Sequence, residues 1–445
     1  MHDQALEAKI QNRTANIGVV GLGYVGLPLM RAFWDAGLAV TGFDVDSEKI
    51  ELLRRGECYL RHFGPQFVAD MAQSEQFQVS ADPAILGHPD VLLICVPTPL
   101  DRHLQPNLDY VSNTTRTIAQ VLRPGQLVVL ESTTYPGTTR ELMVPLLETA
   151  RGPEGNQLRA DHDFFVGFSP EREDPGRTSH STRDIPKVVG GLSERSGELA
   201  RKVYELAFTH VVPVSSCEVA EAAKLLENIY RAVNIALVNE MKVVLSDMDI
   251  DVWEVIDAAA TKPFGFHPFY PGPGLGGHCI PIDPYYLTWK AKEHGISTRF
   301  IELAGEVNRM MPTFVVRRTM LALNDRGLAL KGAKVLVLGL AYKPDVDDVR
   351  ESPSFTLIEQ FQQLGAKVDY HDPFVPHTKQ TREHDLKMES IELSDQALAS
   401  YDCVVVATNH QDYDWARIGQ VAQLVIDTRG ALRHLKLPEG RVVGA

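Results

Sequence analysis

The sequence predicts an α/β protein: two doubly wound domains joined by a long central helix and a helical middle domain. Three observations carry this. Apolar runs alternate with helical periodicity near the N-terminus, the same alternation returns from Lys334, and an unbroken helical repeat from about Cys217 to Asp247 lies between. A chain of 445 residues is also too long for one core. The expected domains are 1–212, 213–325 and 326–445.

The first domain opens with a strand at 16–20, then Gly21-Leu22-Gly23-Tyr24-Val25-Gly26, a helix at 27–36 stopped by Gly37, and a strand at 39–43 ending in Asp44. This βαβ unit is Rossmann-like. Gly21, Gly23 and Gly26 permit a tight turn, approach of a pyrophosphate and close helix packing, and the helix N-terminus favours phosphate charge. Tyr24 and Val25 complete the cofactor loop. Asp44 stands 18 residues after Gly26, where a carboxylate binds ribose hydroxyls and repels a 2′-phosphate. The cofactor is therefore NAD rather than NADP.

Further apolar strands run from 91 to 96, 127 to 130 and 164 to 168. They end in Pro97-Thr98-Pro99, Glu131-Ser132-Thr133-Thr134 and Ser169-Pro170-Glu171-Arg172. Each alone is ordinary loop chemistry. Together they place hydroxyls and carboxylates at one sheet edge, where open α/β sheets bind ligands.

In the long helix, Val219, Ala223, Leu226, Ile229, Val233, Leu237, Met241 and Val244 recur every three or four residues, giving an amphipathic stripe. Lys224 and Asn228 share a face, and Glu227 with Arg231 has the spacing of a solvated ion pair. Spacing alone makes Lys224 an ordinary surface lysine. A helix of this length can join domains or subunits.

Next comes Pro271-Gly272-Pro273-Gly274-Leu275-Gly276-Gly277-His278-Cys279-Ile280-Pro281-Ile282-Asp283, an irregular backbone that fits neither helix nor sheet. A lone cysteine is usually inert core. Beside an acid it is also a candidate nucleophile. Helices are expected from Pro284 to about His294 and near 301–309, with a linker around 324–332. The last domain has strands at 334–340, 367–370, 403–408 and 424–427 and a helix at 352–364. It lacks a G-x-G-x-x-G, leaving open whether it binds a nucleotide by another route or is structural.

A net charge of −14 argues against nonspecific nucleic-acid binding and against a polybasic membrane surface. No apolar run is long enough to span a bilayer. The first fifteen residues lack a signal-peptide core. Five cysteines are scattered without a C-x-x-C pair, pointing to neither a metal site nor a disulfide framework and to a reducing cytoplasm.

The order of these motifs, from G-L-G-Y-V-G through V-P-T-P, E-S-T, S-P-E-R, A-K-L-L-E-N and G-G-H-C-I-P-I-D to A-Y-K-P-D-V-D-D-V-R-E-S-P, resembles the UDP-glucose/GDP-mannose dehydrogenase family over nearly the whole chain. His278 and Ile282 make the thiol loop most similar to the branch acting on UDP-N-acetylglucosamine and related acetylated sugars. The resemblance implies four-electron oxidation of the sugar C6 alcohol to a carboxylate with NAD. Cys279 would form a thiohemiacetal and then a thioester. Lys224 would stabilise the C6 oxyanion, Asn228 would donate to that oxygen or hold a water, Asp283 would act as base or orient water, and Thr133 and Glu171 would position water. Pro97, Thr98 and Thr133 would border the cofactor. Glu171, Arg172, Lys224, Asn228 and Gly276 would contact substrate, with Lys343 and Arg429 neutralising the UDP diphosphate.

The resemblance further implies a homodimer or higher homo-oligomer and a place in surface-polysaccharide synthesis. The glucose branch carries an arginine near 262–267 that crosses to a neighbouring subunit. None stands here, so the crossing residue is open. Alternatives are UDP-glucose 6-dehydrogenase, a galactosamine or mannosamine epimer, a two-electron hydroxyacid dehydrogenase, and a non-catalytic nucleotide-sugar sensor. The last has no need of Cys279.

Overall fold

A computed structural model gives the fold and describes all residues except 1, 61–62, 65, 102, 173–181, 278 and 382–383. The chain forms two compact units, Met1–Glu227 with Tyr285–Ile296 and Asn228–Pro284 with Ser297–Ala445. The α/β class with two sheets and long central helices is as the sequence predicts.

The sheet of the first unit contains β1 (Ile17–Val20), β2 (Val40–Phe43), β3 (Phe77–Ser80), β4 (Val91–Ile94), β5 (Leu127–Leu130), β6 (Phe165–Phe168), β7 (Lys187–Gly191) and β8 (Val211–Val214). Their spatial order is β3-β2-β1-β4-β5-β6-β7-β8. Through β6 all neighbours are parallel, with Ile17 opposite both Val40 and Val91. The chain reverses at β7, which pairs antiparallel with β6 and parallel with β8. Alternate side chains feed two cores, Val19, Val40, Leu93 and Val129 on one face and Val20, Leu92, Ile94 and Val128 on the other. Burial on both faces explains the uninterrupted apolar runs.

Strands β3, β7 and β8 have no clear sequence signal. The edge strands β3 and β8 are partly exposed, and β7 begins with a lysine. Lys187 is nevertheless buried, its Nζ 2.5 Å from Glu131, which also accepts a hydrogen bond from the Tyr204 hydroxyl. Burial pushes the Glu131 carboxyl upward while Lys187 opposes it.

The second unit holds β9 (Lys334–Leu338), β10 (Lys367–His371), β11 (Cys403–Val406), β12 (Val425–Asp427) and β13 (Val442–Gly444), in the order β10-β9-β11-β12-β13 and all parallel. The helix Pro353–Gln363 is capped by the Ser352 hydroxyl, which accepts from Ser354 N. The helix expected at 301–309 instead runs from Arg299 to Asn324, through Pro312. Its buried face of Asn308, Met311, Val315, Thr319 and Leu323 outweighs the hydrogen bond proline forfeits.

The long helix is Cys217–Ser246, and the division between units falls inside it. Its buried face is mixed, with Ala220, Leu225, Val238 and Leu245 beside five polar residues, and does not coincide with the apolar stripe. Val219, Leu226, Leu237, Met241 and Val244 of the apolar stripe are exposed, while Glu221, Lys224, Asn228, Asn239 and Lys242 are buried. No helix among the described residues is long and apolar enough to cross a membrane.

Lys187→Met leaves the Glu131 carboxylate buried without its cation and is expected to cost about 3–5 kcal/mol, read as a lower urea midpoint. The double variant Glu131→Gln with Lys187→Met should recover most of that loss. Equal losses in both would show that the pair is not coupled.

Candidate active site

In the first unit the glycine turn follows β1 directly. A Cβ on Gly26 would lie 1.9 Å from the Gly21 carbonyl oxygen, so the helix Gly26–Asp35 can start there only without a side chain. Above Gly23 a Cβ would meet nothing within 4 Å, leaving that backbone open to a ligand. Tyr24 and Val25 lie between, with Val25 at the helix N-cap. At the end of β2 the nearly buried Asp44 accepts from Leu22 N at 2.9 Å and from Asp46 N at 3.0 Å, one bond to each carboxylate oxygen. Each oxygen keeps acceptor capacity for a ribose hydroxyl. These residues fit NAD: the open glycine backbone and helix N-terminus suit the pyrophosphate, and Asp44 suits the ribose.

The ends of β4, β5 and β6 adjoin this turn. Ser132 Oγ donates to the Val96 carbonyl at 2.6 Å, stitching the loop of Pro97 and buried Thr98 to that of partly exposed Thr133. After β6, Lys224 Nζ donates to the Glu171 carbonyl. Lys187 Nζ lies 3.4 Å from the Pro170 carbonyl. Arg172 binds Glu227 at 2.5 Å and the Pro186 carbonyl at 2.8 Å. Glu227 therefore turns to Arg172 rather than to Arg231. Lys224, which spacing alone made a surface lysine, is buried.

In the second unit the Cys279 carbonyl accepts from Ile282 N at 3.1 Å and from Asp283 N at 2.8 Å. The partly exposed thiol residue thus stands one turn before Asp283, where the helix Asp283–Glu293 begins. Asn228 Nδ2 donates to Asp283 Oδ2 at 2.5 Å, and both side chains are buried. The thiol loop is held from the third sequence region. Gly277, at φ +88, donates to the Arg350 carbonyl at 3.0 Å. A Cβ on Gly276 would come within 2.6 Å of Tyr342 Cβ. The motifs around Cys279 and Lys343 thereby meet, with Lys343 Nζ 5.7 Å from the Tyr342 ring centroid. Arg429 Nε donates to the Ala407 carbonyl at 2.8 Å. Burial pulls its guanidinium down to about 10, so it stays charged at neutral pH. His278, singled out in the sequence, lies outside the described residues.

One supporting group was not legible. Buried His410 donates through Nε2 to Asp372 at 3.1 Å and accepts Asp345 N on Nδ1 at 3.0 Å. Asp372 also accepts from Leu340 N and Ala341 N. Burial pushes the Asp372 carboxyl up, but His410 and these amides hold it below its usual range. Together they fix both ends of the segment carrying Lys343. The only sequence hint was the strand end His371-Asp372-Pro373.

A glycine-loop domain with an acid at the second strand, in a chain with a second doubly wound sheet, defines a dinucleotide-dependent oxidoreductase. Three family models match in succession, all of the UDP-glucose/GDP-mannose dehydrogenase family: its NAD binding domain at 15–208, its central domain at 218–310 and its UDP binding domain at 336–434. UDP-N-acetyl-D-glucosamine 6-dehydrogenase of Pseudomonas aeruginosa is 35% identical over 89% of this chain and 91% of its own length. NDP-N-acetyl-D-galactosaminuronic acid dehydrogenase of Ralstonia nicotianae is 33% identical over 93% and 95%. The structure of UDP-D-ManNAc dehydrogenase from Pyrococcus horikoshii superposes with a TM-score of 0.85 at 32% identity, covering 96% of this chain and 98% of that one. The chain belongs to the UDP-glucose/GDP-mannose dehydrogenase family. It is an NAD-dependent UDP-sugar 6-dehydrogenase.

Asn228→Leu removes the amide donor from the buried Asp283 carboxylate. The expected cost is about 1–3 kcal/mol, measured as a lower urea midpoint. An unchanged midpoint would show that the carboxylate does not depend on Asn228.

Proposed function

We propose that the chain oxidises the C6 alcohol of a UDP-N-acetylhexosamine, UDP-N-acetylglucosamine first, to the uronic acid. The observation that carries this reading is the grouping of Cys279, Asp283 and Asn228 in the second unit. The partly exposed Cys279 stands one turn before a buried carboxylate that accepts from the Asn228 amide. NAD, when bound, takes up the hydride in each oxidation. Cys279 sulfur adds to the C6 aldehyde, forming a C–S bond that retains the intermediate as a thiohemiacetal until its oxidation to the thioester. Asp283 removes a proton from the attacking group and later from water, and Asn228 holds that carboxylate or the C6 oxygen. Lys224 supplies positive charge for the oxyanion. Thr133 and Glu171 position water. Arg172 and Gly276 border the substrate, while Lys343 and Arg429 take the diphosphate.

Support for an acetylated sugar comes from the thiol loop and from the names of relatives, which divide among glucosamine, mannosamine and galactosaminuronic derivatives. Functionally, 1–212 binds NAD, 213–325 supplies the thiol and association surface, and 326–445 takes the UDP moiety. A reducing cytoplasm keeps Cys279 a thiol.

The exposed apolar stripe of the long helix, together with Met248 and Ile250, supports a homodimer with a second copy seated on it.

Complete turnover of limiting UDP-N-acetylglucosamine should yield two NADH per sugar, with UDP-glucose poorly used. One NADH would make the aldehyde the product. Cys279→Ser should retain UDP-sugar binding by calorimetry while turnover falls by at least about a thousandfold, and unchanged turnover would eliminate the thioester. Separately, Leu237→Asp should halve the mass seen by light scattering. A parent protein that is already monomeric and fully active would remove the dimer.

A further inference from the structure

The second unit contains a cavity of about 320 Å3 between the last turns of the long helix, the start of the helix Val252–Ala260 and the segment after β12. None of the proposed substrate or catalytic residues lines it. Its most unusual wall is Lys242, 3% exposed. The ammonium has one weak protein partner, the Thr428 carbonyl at 3.3 Å, and lies 5.3 Å from the Trp253 ring centroid. Trp253 is itself 8% exposed, and its indole Nε1 has no acceptor. Arg318 adds a guanidinium whose Nε reaches only the Gly444 carbonyl, at 3.3 Å.

Among the described residues, Lys242 and Arg318 have no carboxylate within ion-pair distance, and of the three acids lining the cavity, Asp249, Asp251 and Asp427, the last two accept backbone N–H groups. Asp427 accepts from Arg429 N and Leu432 N. Asp251 caps the following helix through Trp253 N and Glu254 N. Burying a cation without an anion is costly unless a partner arrives. Three convergent donors, two of them in buried side chains, and a volume at the lower end of small-ligand pockets (~300–1,000 Å3) describe a site awaiting an acceptor-rich anion.

We infer that this cavity binds a phosphate group, free or as the monoester of a small sugar, against Lys242, Arg318 and the Trp253 indole. Burial, with Arg429 and Arg318 nearby, pulls the Lys242 amine down to about 7, so binding an anion there takes up a proton. The other charged groups facing it are Asp249 and Asp251 before the Val252–Ala260 helix, Arg318 on the Arg299–Asn324 helix, and Asp427, Arg429 and Arg433 from β12 onward. No histidine lines the cavity among the described residues.

The test is thermal denaturation of the intact protein with saturating UDP, which occupies the nucleotide site. Inorganic phosphate and N-acetylglucosamine 1-phosphate are titrated separately. A saturable rise in Tm is expected for the parent and for Lys343→Met, and is expected to vanish in Lys242→Met. A tenfold lower half-saturating concentration for the ester would assign the sugar phosphate, and equal values would assign the free anion. A rise of the same size in the parent and Lys242→Met, or none in the parent with either probe, overturns the inference. If Lys242→Met does not fold, Arg318→Gln decides by the same criterion. Sulfate, whose charge is constant over this range, should half-saturate at a concentration about tenfold lower at pH 6 than at pH 8.5. Identical values would reject the role of Lys242.

Discussion

The structure depends on one helix that turns five polar side chains inward among apolar ones. Each buried polar residue of Cys217–Ser246 anchors a different segment. Glu221 accepts from Gly137 N at 2.6 Å and from Thr139 N at 3.0 Å. Lys224 takes the Glu171 carbonyl, and Asn228 takes Asp283. Asn239 donates to Asn308 at 2.9 Å and accepts from Gly272 N at 3.0 Å. Lys242 reaches the Thr428 carbonyl. Irregular loops have backbone groups that must be satisfied when buried, and a rigid helix supplies partners at fixed intervals. The loops with the expected catalytic groups are thereby hung on a regular scaffold.

The two sheets use one device for different ends. In each, an acid at the end of the strand beside the first, Asp44 or Asp372, accepts backbone N–H groups from the loop after that first strand. Asp44 keeps capacity for a ligand, and the glycine backbone beside it is open. Asp372 is closed off by His410, so the equivalent crevice becomes a lock on the Lys343 segment. The sequence left open whether the last domain served a nucleotide or only structure. Its match to a UDP binding domain favours the first, with the lock setting the loop's position.

Much of this was legible because the strongest signals are local. A strand buried on both faces announces itself in four apolar residues, and a glycine turn between strand and helix admits few alternatives. The misreadings share a cause: partners distant in sequence. The strand opening with Lys187 was not found because Glu131, its buried partner, cannot be paired with it from spacing. The helix expected near 301–309 was read too short because the face that carries it through Pro312 to Asn324 is visible only once folded. The stripe from Val219 to Val244 was correctly found as apolar, yet periodicity says only that two faces differ. It does not say which faces inward, and here five polar groups find partners there.

That arrangement has a consequence beyond assembly. The same thirty residues bear loop anchors on one side and unsheltered hydrocarbon on the other. Water therefore reaches the outer side of the element whose inner side carries those anchors. If a second copy covers the outer stripe, as proposed, mass action would contribute to the stability of those anchored loops, and the enzyme's working integrity would become a function of how much of it is present. Dilution would then loosen the chemistry without altering a single catalytic residue.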